Sequence, residues 1–209
     1  IDNTKKMKIL DIGAGSGSIA RAIGKIEKNS QDSIEYDFIE HDLIKCDEIT
    51  KSFKNLSARS MKIEDIEDNN YNYIFLNHVV EHLVEPVSML RKVSSSLSQD
   101  GVAYIETPCC DYQYKSDVFP HTLFFTPDSY REIAKKLKVE TLSLEVFGNT
   151  DVFNEEKERS FSSRLKKLLF KVESKFLKEN SFSWADSLIF QYKKPCENGL
   201  WIRWVFKKK

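Results

Sequence analysis

Short apolar runs alternate along this chain with segments whose apolar residues return every third or fourth position, a pattern that predicts strands and helices in turn. Ile9, Leu10 and Ile12 form the first run, and Ile19, Ala20 and Ile23 resume at helical spacing after it. Residues 36–40 (YDFIE) predict a second strand, 44–53 a modest helix, 59–62 a weak third strand and 73–77 (YIFLN) a strong fourth. Pro86 stands just inside the next helix start, with Met89, Leu90, Val93 and Leu97 on one apolar face and Gly101 closing the unit. Residues 102–106 (VAYIE) predict strand five, which Pro108 stops. Pro127 opens a helix that buries Ile133, Ala134 and Leu137, and 142–147 and 187–192 (SLIFQY) predict strands six and seven. This alternation predicts an α/β sheet with helices on both faces.

Two segments stand apart from the alternation. Across 155–178, Phe161, Leu165, Leu168, Leu169, Val172 and Phe176 fall on one helical face, while Arg164, Lys166, Lys167, Lys171, Lys175 and Lys178 fill the rest. Such a basic amphipathic helix serves as a solvated helix packed on the sheet, as a lid over the substrate, or as a surface that meets anionic lipid, a weak peripheral contact, or a phosphate-bearing substrate. The run 199–206 (GLWIRWVF) alternates aromatic residues and predicts an added edge strand or a docking segment. The whole, 1–209, reads as one domain with 151–183 as a helical insertion between strands six and seven and 195–209 as a C-terminal extension. The first strand follows within a dozen residues of Ile1, which leaves room for a further segment upstream.

Between the first strand and its helix lies Asp11-Ile-Gly13-Ala14-Gly15-Ser16-Gly17, in which the glycines recur at alternate positions. Glycines here let the backbone turn and let a nucleotide-like ligand approach the amides at the helix start. A dinucleotide turn wants G-x-G-x-x-G, and this one carries Ser18 where the third glycine would fall. Glu40 ends strand two 23 residues beyond Gly17, where a carboxylate accepts from the ribose hydroxyls of an adenosine; Asp42 is its competitor on the same loop.

Composition narrows the classes. The 209 residues, 41% hydrophobic, suffice for one substantial core, and 32 basic residues balance 32 acidic ones, so overall charge favours neither nucleic acid nor membrane. Residues 1–150 carry six more acidic than basic side chains and 151–209 the reverse. No run approaches the roughly 20 apolar residues of a membrane span, and no signal peptide is evident, so a cytoplasmic protein is expected. Cys46, Cys109, Cys110 and Cys196 show no C-x-x-C pair, which predicts reduced thiols with neither a zinc site nor a disulfide framework.

The stretch from Asp11 to Gly17 resembles motif I of the class I S-adenosylmethionine-dependent methyltransferases. Together with His78-Val-Val-Glu81-His82-Leu-Val-Glu-Pro86, Thr107-Pro108 and His121-Thr-Leu-Phe-Phe-Thr-Pro127, the chain is similar to the methyltransferase family 23 group, over about residues 7–147 and strand seven. The resemblance implies a Rossmann-like seven-stranded sheet, mostly parallel with strand seven antiparallel, and S-adenosylmethionine as cofactor. It implies that the cofactor is bound by Asp11, Gly13, Ala14, Gly15, Ser16, Gly17, Glu40, His41, Lys62, Ile63, Asn77 and His78, with Asn77 against its methionine part. Lys62 departs from the acidic residue common at that position, so only its main chain carries over.

The letters H-x-x-E-H also form a zinc motif of inverted metallopeptidases, but Pro86 follows His82 by four residues and leaves barely one turn for the required helix. Some relatives bind a divalent ion through E-x-x-E-H and a later histidine. Glu81, His82 and His121 match three of those ligands, and His78 stands where the first glutamate would be, so a hard-ion site loses one oxygen ligand and a divalent metal stays open, the alternative being that Glu81 and His82 cap the next helix and hydrogen-bond to the loop. The function expected is methyl transfer to a small-molecule or glycan acceptor, with O-methylation favoured. His121 is the preferred base, with His82 second and Glu81 beside them, since imidazole suits proton removal near neutrality. Phe119, Phe124, Phe125 and Tyr112 are candidate pocket walls. The alternatives are a noncatalytic S-adenosylmethionine-binding module and a nicotinamide-dependent oxidoreductase. No nucleic-acid partner is expected, because the site lacks interleaved aromatic and basic residues.

Overall fold

In the computed structural model, residues 7–27, 34–52, 57–68, 70–109, 120–148 and 200–209 are described. The elements in chain order are β1 (Met7–Ile12), α1 (Ser18–Glu27), β2 (Ile34–Ile39), α2 (Leu43–Ser52), β3 (Ser57–Ser60), β4 (Tyr71–Asn77), α3 (Pro86–Ser96), β5 (Leu97–Pro108), α4 (Pro127–Leu137), β6 (Val139–Phe147) and β7 (Trp201–Lys208). They form one seven-stranded sheet in the order β3-β2-β1-β4-β5-β7-β6. The strands β1 to β5 pair in parallel, and β7 runs antiparallel to both β5 and β6.

Alternation along β1 divides the core between the two faces of the sheet. Leu10 and Ile12 join Ile74, Leu76, Ile105 and Trp204 in a cluster closed by Leu90 and Val93 of α3 and Tyr130 and Ile133 of α4. Ile9, one position off, joins Tyr36 and Phe38 beneath Ala20 and Ile23 of α1 and Ile49 of α2. Helices therefore cover both faces, as the alternation predicts. The start of α4 is fixed by Thr126, whose hydroxyl accepts from the Ser129 amide at 3.1 Å, with Pro127 at the first helical position.

Three expectations are corrected. Leu97 is the first residue of β5, not the last on a helix face, because α3 ends at Ser96 and the chain turns directly into the strand. Gly101 lies inside that strand: the pairing of β4 with β5 slips between Tyr71 and Tyr73, and a side chain at Gly101 would meet the Tyr71 carbonyl at 2.6 Å. The run 201–208 is neither an edge strand nor a docking segment. It lies between β5 and β6 because Ile202, Trp204 and Phe206 all face the α3 and α4 side and are fully buried there. The seventh strand of the described sheet is thus Trp201–Lys208, and the expected strand at 187–192 lies outside the described residues, as do the helical insertion 151–183 and the basic segment 155–178. Smaller shifts place β3 at Ser57–Ser60 and α2 at Leu43–Ser52.

Candidate active site

The loops that leave β1, β2, β3, β4 and β5 gather at the carboxyl edge of the sheet, where open α/β folds bind ligands. After β1, Gly13, Gly15 and Gly17 have φ of 75°, 55° and 75°, so each adopts the left-handed backbone that glycine alone takes without cost. Glu40 follows β2 directly. Its Oε2 accepts from the Gly15 amide at 2.7 Å and its Oε1 from the Asp42 amide at 3.0 Å. Burial would raise this carboxyl's pKa, yet the Asp42 and Gly15 amides hold it below the ordinary glutamate value. Asp42 is directed elsewhere: its carboxylate accepts from the Ile44 amide at 3.0 Å at the start of α2.

Other expected residues occupy distinct surroundings. Asp11 is 2% exposed and accepts from the Tyr36 hydroxyl at 2.7 Å, and burial pushes its carboxyl up to about 6 against that hydrogen bond. Ala14 is buried with the α1 cluster, and Ser16 is exposed, its carbonyl accepting from Arg21. His41 points outward, 3.4 Å from Glu40 Oε1. Lys62 and Ile63 lie beyond β3, Lys62 preceding the short 3-10 turn that Ile63 opens, and both are exposed.

The end of β4 carries the densest chemistry. Asn77 Oδ1 is buried and has no hydrogen-bond partner among the described residues. The next residue, His78, has φ 54°, and its amide donates to the Glu106 carbonyl at 2.8 Å. Its ring bridges two carboxylates, with Nδ1 3.4 Å from Glu81 Oε1 and Nε2 3.7 Å from Glu106 Oε1. Glu106 and Glu81, in that order of effect, raise the imidazolium pKa to about 9. Glu106 also accepts from the Tyr104 hydroxyl at 2.7 Å and from Arg203 at 3.1 Å. Burial alone would raise the Glu106 carboxyl, and these donors with His78 bring it below the ordinary value.

Residues Val80–His82 form a 3-10 turn ahead of α3, so the H-x-x-E-H letters do not lie on the long helix a metallopeptidase needs. The turn is clasped by the loop after β5, since the Glu81 carbonyl accepts from the Thr122 and Leu123 amides at 3.0 and 3.1 Å. The Glu81 side chain is 1% exposed, and neither of its oxygens has a hydrogen-bond partner among the described residues. The ligand atoms of Glu81, His82 and His121 lie within 4.8 Å of one another, and the His82 and His121 rings are 5.0 Å apart. The sequence thus anticipated the meeting of residues 40 positions apart. Of the proposed walls, Phe124 is exposed and Phe125 is buried against Tyr130, while Tyr112 and Phe119 lie outside the described residues.

Sequence reasoning missed Glu106, Tyr104 and Arg203. Tyr104 and Glu106 share one face of β5 through period-two spacing, which the VAYIE run displays. Arg203 was beyond reach, because its approach depends on β7 pairing with β5, Glu106 opposite Arg203.

A parallel sheet closed by one antiparallel strand, with a glycine turn after β1 and a carboxylate after β2, is the architecture of the class I S-adenosylmethionine-dependent methyltransferases. The profile of the methyltransferase domain family matches residues 3–161, and the chain belongs to that family. A comparison with curated protein sequences gave no match. Among solved structures, the chain is similar to a TehB-like S-adenosylmethionine-dependent methyltransferase from Corynebacterium glutamicum, at 16% identity and TM-score 0.57 over 97% of this chain and 80% of the other. It is also similar to a methyltransferase of the same cofactor class from Archaeoglobus fulgidus, at 15% identity and TM-score 0.60 over 98% and 87%. The phosphoethanolamine N-methyltransferase 2 of Haemonchus contortus, solved with S-adenosylmethionine, matches at 16% identity and TM-score 0.60 over 98% of this chain and 49% of its own. Among the described residues no helix is long and apolar enough to cross a membrane.

Proposed function

We propose that the chain binds S-adenosylmethionine across the β1, β2 and β4 loops and transfers its methyl group to a hydroxyl of a small-molecule or glycan acceptor, in a cytoplasmic setting. The observation that carries this reading is the contiguity of two unlike surroundings at the end of β4. Asn77, at the end of the strand that pairs with β1, offers a buried oxygen with no hydrogen-bond partner among the described residues. Four and five residues on, Glu81 and His82 meet His121.

The residues fit the cofactor. Amides at the start of α1 and the Glu40 carboxylate suit the hydroxyls of an adenosine, and Asn77 Oδ1 would accept from an ammonium group. A methyl at Gly15 would find no atom nearer than the Gly13 carbonyl at 3.9 Å, so an open space stands beside that amide. The bound sulfonium would supply an already activated methyl group for in-line displacement. What remains for the protein is alignment and removal of the acceptor proton. His121 is assigned as base, with His82 held beside it: His82 Nδ1 lies 3.3 Å from the Pro120 carbonyl, and donating there leaves Nε2 as the basic nitrogen of the neutral ring. The resemblance of the His78–Pro86 and His121–Pro127 stretches to family 23 favours oxygen as acceptor atom, while the N-methyltransferase among the similar structures makes nitrogen the rival.

The test is direct. S-adenosylhomocysteine should raise the melting temperature and NAD should not. Labelled methyl from S-adenosylmethionine should then enter a low-molecular-weight product, whose mass spectrum fixes oxygen or nitrogen. Replacing His121 by alanine should lower turnover far more than cofactor affinity. Binding without transfer would leave the noncatalytic module, and a response to NAD alone would restore the oxidoreductase.

A further inference from the structure

The Glu81, His82 and His121 cluster offers one carboxylate oxygen and two imidazole nitrogens within 4.8 Å, a donor set suited to zinc. The carboxylate is 1% exposed and without a hydrogen-bond donor among the described residues, which a bound cation would ordinarily answer. Yet one oxygen of that carboxylate is already approached. Glu81 Oε1 has His78 Nδ1 at 3.4 Å on one side and His82 Nε2 at 4.0 Å on the other.

His78 is not placed there by its backbone. With φ 54° the position favours glycine, and the residue nonetheless carries a ring. The ring is pinned at its far nitrogen by Glu106, 3.7 Å away, and Glu106 is held in turn by Tyr104 and Arg203. An ion entering between Glu81 and His82 would have to compete with a donor that a second carboxylate holds in place. The site therefore does not fit a divalent ion as it stands.

We infer that His78 is a guard residue, whose imidazole occupies the cation position beside Glu81 and closes the Glu81, His82 and His121 cluster to divalent metal. The inference concerns metal binding only and stands independently of methyl transfer. Zinc itself is the probe, titrated by calorimetry into the full chain and into His78→Gly, His78→Gln and His78→Gly/Glu81→Gln. Glycine suits the backbone at this position, so the first variant folds without added strain. Glutamine keeps a neutral hydrogen-bonding side chain should the first be unstable.

The expected result is zinc affinity at least tenfold higher in His78→Gly than in the unaltered chain. A smaller gain is expected in His78→Gln, and none in the double variant. Equal affinity in the unaltered chain and His78→Gly would overturn the inference. So would failure of both single variants to bind, or a gain that survives Glu81→Gln.

Discussion

Gly13 and Val79 meet across the loops that leave β1 and β4: a methyl group on Gly13 would overlap Val79 Cγ2. The glycine turn is thus shaped from two sides, by its own φ of 75° and by the residue next to His78. The glycine loop and the histidine loop are one packed unit.

Gly13→Ala should cost about 2–4 kcal/mol, combining left-handed strain with overpacking. Adding Val79→Ala should recover only the overpacking share. Urea denaturation of the two variants checks the split, and a double variant no more stable than Gly13→Ala would show that Val79 does not set the spacing.

Glu40→Gln removes the charge that binds the Gly15 and Asp42 amides. One amide oxygen can still accept, but the NH2 group cannot replace the second. Affinity for S-adenosylhomocysteine should fall about 10- to 100-fold, in line with about 1.5–3 kcal/mol for hydrogen bonds to a charged group. Calorimetry measures it, and an affinity within threefold of the unaltered chain would remove Glu40 from the site.

Much of this was legible in the sequence, for identifiable reasons. Strands that are buried on both faces appear as apolar runs, so β1, β4 and β5 declared themselves, and Pro86 and Pro127 marked helix starts. The grouping of Glu81, His82 and His121 was implied by the resemblance to relatives whose E-x-x-E-H motif meets a later histidine. What the sequence concealed depends on pairing: Trp204 reads as an edge or docking residue until β7 is inserted between β5 and β6. Asp11 was visible as the motif acid, but its burial beside Tyr36 required the register that sets Ile9 opposite Tyr36 on β2.

Asp11 yields a pH prediction. Its folded-state pKa of about 6 exceeds the ordinary 3.8, so the folded chain holds that proton more tightly than the unfolded chain. The stability this contributes is complete below about pH 4 and is lost as pH rises through about 6, a swing of at most about 3 kcal/mol. Asp11→Asn keeps an oxygen for the Tyr36 hydroxyl and does not ionise. The variant should therefore lose this descending slope between pH 4 and 6 and be about 1–3 kcal/mol more stable than the unaltered chain at pH 7.5. Denaturation curves at several pH values test it; an unchanged slope would assign the pH dependence to other groups.

Trp204 tests whether β7 supports the site from the far face. Its ring is fully buried, 5.1 Å from the Tyr130 ring and 4.4 Å from Phe206, and its Nε1 donates to Thr141 Oγ1 at 3.0 Å. The preceding residue, Arg203, points to the other face and holds Glu106. Trp204→Ala should cost about 3–5 kcal/mol through the cavity it leaves. Thr141→Val should cost about 1 kcal/mol, because it leaves the indole N–H without its partner. Trp204→Phe removes the donor, so adding Thr141→Val to it should cost less than in the unaltered chain. That coupling, read from a double-mutant cycle, isolates the hydrogen bond from the packing. If Trp204→Phe leaves S-adenosylhomocysteine affinity unchanged while lowering stability, β7 acts as a support. A matching loss of affinity would instead place the strand in the binding equilibrium, through Arg203, Glu106 and His78.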